Sequence, residues 1–292
     1  MMSKPSVLIN IVLYHADKNK ILDLIEVCSQ YEKTKILLFD NSEDSQSFEI
    51  DDNKNIILFK SPQNVGVGGA HYTACKMAEA ENFDFLLFLD QDSQLSSGFL
   101  KNMLSGFYRL QKIHSRLCAI GPSWSDPELG KSKTRALLKD KIRTFLKAPN
   151  LKQVLISSGM LIWVPTLKYI GYPKKEYFID LVDTEWCLRA LYKNYQIFML
   201  SDVQMLHRIG EVKKWSKLRV QYEEPIRYYY SLRNSFLLFH EKNILLSYKI
   251  LILLGNLFKL RKIIFSPAPI KSFIAACRGI KDGFLLKKIS AK

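Results

Sequence analysis

The sequence has few cysteines, no apolar run long enough to cross a membrane, and no internal repeat or low-complexity tract. Its five cysteines are scattered without a Cys-x-x-Cys pair, which argues against a disulfide framework or a structural zinc site and fits a reducing compartment. A spanning helix needs about 20 apolar residues, and residues 244–258 form a shorter apolar stretch that contains Lys249. The apolar strand near the N-terminus is too short for the core of a signal peptide. We therefore expect a globular, cytoplasmic protein.

Negative charge is scarce in the last third of the chain. The net charge of the whole protein is +15, and residues 207–292 carry 18 Lys and Arg against 5 Asp and Glu. The preceding 206 residues are nearly neutral, with 25 basic and 23 acidic side chains. This asymmetry indicates a polyanionic partner for the C-terminal third, either an anionic membrane surface or nucleic acid.

Strands and helices alternate along the first two thirds of the chain. Apolar stretches predict strands at residues 7–14, 35–39, 55–59, 83–89, 154–164 and 196–200. Apolar residues at helical spacing predict helices at 20–31, at 71–80, within 178–192, and from 225 to the end, with a break near 267–269. This alternation predicts an α/β fold with a doubly wound, Rossmann-like and mostly parallel sheet. Polar residues at the carboxyl ends of its strands would form a ligand crevice.

The segment Phe85-Leu-Leu-Phe-Leu-Asp90-Gln91-Asp92-Ser93 is the most informative in the sequence. A buried parallel strand ends there in two carboxylates one residue apart, at the sheet edge where α/β folds bind ligands. Asp-x-Asp in such a turn can offer oxygen ligands to a hard cation, and a phosphate is the reason to hold one there. A solvated loop that happens to carry two aspartates is the alternative.

Two further clusters at the same predicted edge suggest a nucleotide site. The run from Asn64 through Gly66, Gly68 and Gly69 opens a helix, where glycines permit close approach and the helix N-terminus favours negative charge. Asp40 ends the second strand and suits a hydrogen bond to a ribose hydroxyl or a pyrimidine imide. Both clusters are also typical of ordinary turns.

The segment Phe178–Arg189 contains three carboxylates beside aromatic residues. If a helix begins near Thr184, Asp183 lies at its mouth, as an N-cap or as a general base. Glu185 and Arg189 are four residues apart and form either an exposed ion pair or, through Glu185, an acceptor contact. His207 follows the last predicted strand, and an imidazole is a good ligand for manganese-type ions.

Taken in this order, these motifs resemble those of the inverting family-2 glycosyltransferases of the GT-A fold, and most closely the branch of bacterial rhamnosyltransferases. The resemblance covers residues 7 to about 210 and is most specific in Phe178-Ile-Asp180-x-x-Asp183-x-Glu185-Trp186-Cys-Leu-Arg189. It implies a catalytic domain at residues 1–221 and a basic helical extension at 222–292. The activity it implies is single displacement with inversion, from dTDP-L-rhamnose to a lipid-linked saccharide in bacterial surface polysaccharide (O-antigen, capsule or cell wall) synthesis.

The resemblance also implies roles for individual residues. Asp183 would be the catalytic base, and Asp90, Asp92 and His207 would hold Mn²⁺ or Mg²⁺. The nucleotide-sugar would contact Tyr14, Asp40, Asn64, Gly68, Asp90 and Gln91. The acceptor would contact Asp180, Glu185, Trp186 and Arg189.

The C-terminal third allows three interpretations. Aromatic and aliphatic residues interleaved with Lys and Arg suit the interface of an anionic leaflet, which would hold the enzyme on the inner face of the cell membrane. A helical cap or homodimer interface with a solvated basic face is the second. Nucleic-acid binding is the third, and no recognition motif supports it. For the whole protein, the alternatives are a donor such as UDP-galactofuranose or another UDP-hexose, and a non-catalytic membrane-associated scaffold.

Overall fold

The computed structural model describes residues 4–43, 54–125, 154–206, 211–215 and 218–286. The chain divides into two compact units. The first contains the described residues up to 125 together with 154–178 and 182–206. The second contains 179–181 and the described residues from 211 onward.

The first unit alternates strands and helices, as the apolar pattern predicts. Its strands are β1 (Val7–Leu13), β2 (Thr34–Asp40), β3 (Ile56–Lys60), β4 (Phe85–Asp90), β5 (Leu117–Ser125), β6 (Leu161–Trp163) and β7 (Gln196–Leu206). Its helices are α1 (Lys18–Ser29), α2 (Gly66–Ala80), α3 (Phe99–Gln111), α4 (Leu167–Ile170) and α5 (Val182–Tyr192).

The seven strands form one sheet in the order β3-β2-β1-β4-β6-β5-β7. Neighbouring strands are parallel except at β6, which runs antiparallel to both β4 and β5. Every residue of β1 is buried, as expected for a strand covered on both faces. The predicted mostly parallel α/β sheet is therefore confirmed.

The two faces of the sheet pack against different helices. Alternate residues of β1, such as Ile9, face the apolar side chains of α1 and α3, including Phe107. Leu8 and Leu86 face the other way, toward Ala74 of α2 and other buried side chains. The period-two alternation of the strands thus fills two cores.

A polar pair lies buried between β1 and α2. The Nδ2 atom of Asn10 lies 3.2 Å from Nδ1 of His71, and the imidazole stacks on Phe88 with ring centroids 3.9 Å apart. Burial lowers the pKa of His71 to about 3. His71 is therefore neutral at physiological pH and packs α2 onto the sheet.

Several boundaries differ from the prediction. The strand expected at 154–164 is limited to Leu161–Trp163, because a turn with Gly159 at φ +83° interrupts the extended backbone before it. Strand β7 continues six residues past its predicted end, to Leu206. Strand β5 and helix α3 were not predicted.

From residue 211 onward, the described part of the second unit contains a two-stranded antiparallel sheet followed by helices. Strand β8 (Glu211–Trp215) pairs antiparallel with β9 (Leu218–Tyr222), and the sequence pattern missed both. Helices α6 (Pro225–Phe239), α7 (Leu246–Lys259) and α8 (Pro269–Leu285) follow, with a 3₁₀ segment at Leu260–Phe265. The break predicted near 267–269 coincides with the start of α8 at Pro269. The boundary expected at 221/222 stays a prediction.

Helix α8 packs closely on α6 through small residues. A Cβ atom on Gly279 would lie 2.3 Å from the carbonyl oxygen of Tyr229, and one on Gly283 would lie 2.8 Å from that of Arg233. Beside this contact, the ring centroids of Phe236 and Phe284 lie 4.3 Å apart. Only glycine allows the two backbones to come this near.

The contacts of Lys249 explain why a lysine occurs in this apolar segment. It is 8 % exposed, and its ammonium donates to the carbonyl oxygens of Phe239 at 3.2 Å and Glu241 at 2.5 Å. It thereby satisfies carbonyl groups at the C-terminus of α6, where a cation is also favoured by the helix dipole. Within the described part of the chain, the helices are too short or too polar to cross a membrane.

Candidate functional site: the carboxyl edge of the sheet

The predicted nucleotide and metal residues lie along one edge of the first unit. The strand register pairs Leu13 at the end of β1 with Asp40 at the end of β2. On the other side of β1, Val12 pairs with Asp90 at the end of β4. Three adjacent parallel strands therefore end together, where an α/β sheet binds ligands.

The Asp-x-Asp segment forms a tight turn directly after β4. The amide of Ser93 donates to the carbonyl of Asp90 at 3.0 Å, and the Ser93 hydroxyl accepts from the Asp90 amide at 3.1 Å. Asp90 is half-buried and Asp92 is exposed. The turn thus places two carboxylates at the sheet edge. Carboxylate oxygens are the type of ligand that Mg²⁺ and Mn²⁺ prefer.

Gln91 joins this turn to the end of β1. Its side-chain oxygen accepts from the Tyr14 amide at 2.7 Å, and its side-chain nitrogen donates to the Tyr14 carbonyl at 3.1 Å. The backbone of Tyr14 is held while 46 % of the residue stays exposed. The donor contacts predicted for Tyr14 and Gln91 stay predictions, and the structure shows Gln91 positioning Tyr14.

The end of β2 is tied to the glycine loop by Asn41, which was not predicted as a site residue. The Asn41 side chain accepts from the Val65 amide at 3.1 Å and donates to the Gly66 carbonyl at 3.2 Å. Asp40 is 4 % exposed, and its carboxylate accepts from the Ser42 amide at 2.9 Å. The Asp-Asn-Ser string was the available signal for this connection.

The glycine loop approaches the protein's own backbone. Asn64 accepts from the Gly66 amide at 2.9 Å, and Gly66 has φ +68°. A Cβ on Gly66 would lie 2.4 Å from the carbonyl oxygen of Phe178, and the Gly68 amide donates to that same oxygen at 2.8 Å. The glycines therefore let the start of α2 dock on the Phe178 segment. Nucleotide contacts of Asn64 and Gly68 stay predictions.

Asp183 occupies the first turn of α5 and is partly buried. Its Oδ2 accepts from the Ser157 amide at 3.0 Å, and its Oδ1 accepts from the Thr184 amide at 2.6 Å. Burial raises the pKa of Asp183, while the hydrogen bonds from Thr184 and Ser157 oppose that rise. A carboxylate that is held by donors and has a raised pKa has the properties of a general base.

The other polar residues of α5 have partners inside the protein. Glu185 and Arg189 form a buried, bidentate ion pair at 2.7 and 2.8 Å, not the exposed pair considered from the sequence. Arg189 also donates to the Tyr172 carbonyl at 2.9 Å, and the Trp186 indole donates to the Gly171 carbonyl at 2.9 Å. These side chains bind the 170–172 loop to α5, and their predicted acceptor contacts stay predictions.

Asp180 belongs to the second unit. It has φ +62°, and its carboxylate receives a hydrogen bond from Arg227 at 2.5 Å. Asn234 donates to the carbonyls of Ile179 and Asp180, both at 2.8 Å. These contacts hold an unusual backbone segment, and the acceptor contact predicted for Asp180 stays a prediction.

His207 lies outside the described residues, but the residue before it does not. Leu206 exchanges two backbone hydrogen bonds, both of 3.3 Å, with Gln94, and Gln94 lies two residues after Asp92 in the sequence. The described residues contain no group of three or more His, Cys, Asp or Glu side chains arranged to hold a metal. Asp90 and Asp92 are thus the described part of the predicted metal site.

The profile of the family "Glycosyl transferase family 2" matches residues 9–162, which is more than half of the chain. The chain belongs to this family. The resemblance stated from the motifs is therefore confirmed at the level of the family. The matched residues of this family-2 glycosyltransferase run from β1 to β6 and include the glycine loop and the Asp-x-Asp turn.

One curated relative is a "dTDP-rhamnosyl transferase RfbF" from Shigella flexneri. It is 29 % identical over 213 residues, which cover 70 % of this chain and 66 % of the relative. The match therefore spans just under two thirds of that protein's length. The family-2 chain is thus similar to a rhamnosyltransferase.

Solved structures share the fold at low sequence identity. S. aureus TarS matches with a TM-score of 0.56 at 17 % identity, over 90 % of this chain and 44 % of that one. TarS 1–349 in complex with UDP-GlcNAc matches with a TM-score of 0.55 at 14 % identity, over 98 % and 92 % of the two chains. Together with the seven-stranded sheet, these matches support the predicted GT-A fold of the family-2 chain.

We predict that Gly66→Ala disrupts the glycine loop of this glycosyltransferase, because its Cβ would clash with the Phe178 carbonyl. Gly98→Ala is the matched control, since Gly98 has a similar φ of +72° but no atom within 4 Å of the added Cβ. The control should cost about 1–2 kcal/mol of unfolding free energy from backbone strain. Gly66→Ala should cost clearly more in urea unfolding. Equal losses would contradict the docking role of Gly66.

Proposed function

We propose that the protein is a metal-dependent inverting glycosyltransferase that transfers L-rhamnose from dTDP-L-rhamnose to a saccharide acceptor. One observation carries the proposal: the first unit contains both an Asp-x-Asp turn at the carboxyl edge of its sheet and a partly buried, hydrogen-bonded carboxylate, Asp183. The similarity to a dTDP-rhamnosyl transferase supports the choice of donor.

The Asp-x-Asp turn suits the diphosphate end of the donor. Asp90 and Asp92 supply hard oxygen ligands, and the Gln94–Leu206 backbone pairing supports His207 as a third ligand. A bound Mn²⁺ or Mg²⁺ would act as a Lewis acid that offsets charge on the departing diphosphate. The hydrogen bonds of Asn41 with the glycine loop and of Gln91 with Tyr14 would keep the ends of β2 and β1 rigid around the nucleotide.

Asp183 suits the acceptor side of the reaction. Inversion by single displacement requires one base to take the proton of the incoming hydroxyl. The raised pKa strengthens Asp183 as a base, and the hydrogen bonds from Ser157 and Thr184 fix its orientation. The proton leaves the acceptor oxygen for the Asp183 carboxylate as that oxygen bonds to the anomeric carbon. The bond between the anomeric carbon and the diphosphate oxygen breaks in the same step, and dTDP leaves.

The exposed surface of the C-terminal helices supports docking on an anionic membrane, where a lipid-linked acceptor would be found. Ile270, Phe273, Ile274 and Phe284 of α8 are exposed on one face, beside Lys271 and Lys281. On α7, Phe258 is 61 % exposed, and the guanidinium of Arg261 lies 3.6 Å from its ring centroid. Apolar side chains flanked by cations suit a leaflet that contains anionic lipid.

The donor is tested by calorimetric binding and by hydrolysis across a panel. The panel contains dTDP-rhamnose, UDP-galactofuranose, UDP-galactose, UDP-glucose and GDP-mannose, each with Mn²⁺, Mg²⁺ or chelator. We expect binding of dTDP-rhamnose that weakens at least tenfold with chelator. Preference for a UDP-sugar would replace the donor, and the absence of any binding by the folded protein would favour a scaffold.

We predict that Asp183→Asn lowers transfer by at least about 100-fold, because an amide cannot accept the acceptor proton. Donor affinity should change less than threefold in the same calorimetric assay. Asp202→Asn is the control, since Asp202 is an exposed carboxylate paired with Arg109 in the same unit. Loss of donor binding together with transfer would identify Asp183 as a structural helix cap.

We predict that the exposed face of α8 is required for binding to membranes. The double variant Ile270→Ser, Phe273→Ser should lose most of its flotation with vesicles that contain anionic phospholipid. Ile113→Ser is the control, because Ile113 is an equally exposed apolar residue of the first unit, at 75 %. Undiminished flotation of the double variant, or its conversion from dimer to monomer without a change in flotation, would contradict the proposal.

A further inference from the structure

A chain of hydrogen bonds runs from the Asp-x-Asp turn to the end of β7. The Asp90 amide donates to the Ser93 hydroxyl at 3.1 Å, and the hydroxyl oxygens of Ser93 and Ser158 lie 2.7 Å apart. The Ser158 hydroxyl also lies 3.8 Å from the sulfur of Met205, two residues before His207. If Ser93 donates to Ser158 and Ser158 donates to sulfur, every hydroxyl proton in the chain has an acceptor.

Both serines are buried, so their hydroxyls depend on each other. Ser93 is 6 % exposed and Ser158 is 1 % exposed. A buried hydroxyl without a partner carries a desolvation cost, which favours one fixed arrangement of the pair. The Ser93–Ser158 pair therefore joins two turns that are 65 residues apart in sequence.

The second of these turns carries the amide that holds Asp183. Ser157 donates its amide to the Asp183 carboxylate at 3.0 Å, and the turn closes through the Met160 amide to the Ser157 carbonyl at 2.9 Å. Within the same turn, the Gly159 amide donates to the Phe88 carbonyl at 2.8 Å. A side chain on Gly159 would meet Pro122 at 2.7 Å, so this turn has little freedom to shift.

We propose that Ser93 and Ser158 are positioning residues that fix the Asp183 carboxylate relative to the Asp-x-Asp turn. The inference rests on the proposed function, in which one turn holds the donor diphosphate and Asp183 takes the acceptor proton. The hydroxyl pair sets the place of the Ser157 amide, and that amide orients the base and stabilises its charged form. Displacements of about 1 Å at such a group can cost about 100-fold in rate.

The test uses Ser93→Ala, Ser158→Ala and the double variant in the full-length protein. Each single variant should lower kcat about tenfold or more, with less than a threefold change in donor affinity. Because the two hydroxyls act as one unit, the double variant should be no slower than the slower single variant. Thr166→Val is the control: it removes a hydroxyl that is 3 % exposed and bonded to the Trp163 carbonyl, and it should leave kcat within twofold.

A second measurement follows the charge on Asp183 itself. Loss of the Ser157 hydrogen bond removes a contact that lowers the Asp183 pKa, so that pKa rises further in the serine variants. The acidic limb of the kcat–pH profile, and the carbon-13 NMR titration of the Asp183 carboxyl assigned with Asp183→Asn, should both move to higher pH. Unmoved titration in both serine variants, or multiplicative losses in the double variant, would overturn the proposal.

The NMR titration requires no turnover, so it separates the two proposals. If the wild-type protein turns over no donor, the proposed function fails, while a titration shift in Ser158→Ala still supports the positioning of Asp183. If turnover is present and the titration does not shift, the positioning inference fails alone. A serine-to-alanine variant that loses the two-state urea transition is replaced by Ser93→Cys or Ser158→Cys, because a thiol fills the same place but is a weaker hydrogen-bond donor and acceptor. The Asp183 titration should again move to higher pH, and an unmoved titration in the folded cysteine variant would overturn the proposal.

Discussion

The reversal of a single strand determines the layout of the candidate site. Strand β6 runs antiparallel to β4, so the residues that precede β6 lie beside the residues that follow β4. The backbone pairing of Phe88 with Met160 and Gly159 continues this register to the sheet edge. With a parallel β6, the Ser157–Gly159 turn would lie at the opposite edge of the sheet, away from the Asp-x-Asp turn.

The cost of burying polar groups explains much of the remaining architecture. Glu185 and Arg189 are both buried, and two isolated charges there would be strongly unfavourable. Their bidentate contact and the carbonyls of the 170–172 loop satisfy the guanidinium, so the loop and α5 must fold together. The buried side chain of Asn41, at the end of β2, is likewise satisfied by backbone groups of the glycine loop. Of these two polar bridges, the one made by Asn41 lies at the sheet edge on which the proposed chemistry depends.

Local sequence patterns predicted the elements whose evidence is local. Continuous apolar runs identified β1, β2 and β4, and the Asp-x-Asp and glycine motifs were correctly placed at strand and helix ends. Contacts between distant segments could not be predicted in this way. The glycine loop gives no sign in sequence that Phe178 is its partner, and no local pattern indicates that the Ser93 and Ser158 hydroxyls meet. Glu185 and Arg189 have the spacing of a surface pair, and only tertiary packing shows that they are buried.

The two close backbone contacts of α8 have a consequence for the direction in which this helix faces. With Gly279 against Tyr229 and Gly283 against Arg233, α8 cannot turn about its own axis without driving a side chain into the backbone of α6. The rotational orientation of α8 on α6 is therefore fixed. The absence of a Cβ atom at Gly279 and Gly283, on the buried side of α8, decides which of its residues face outward. A larger residue at either position would rotate the exposed face of the helix without altering any residue on that face.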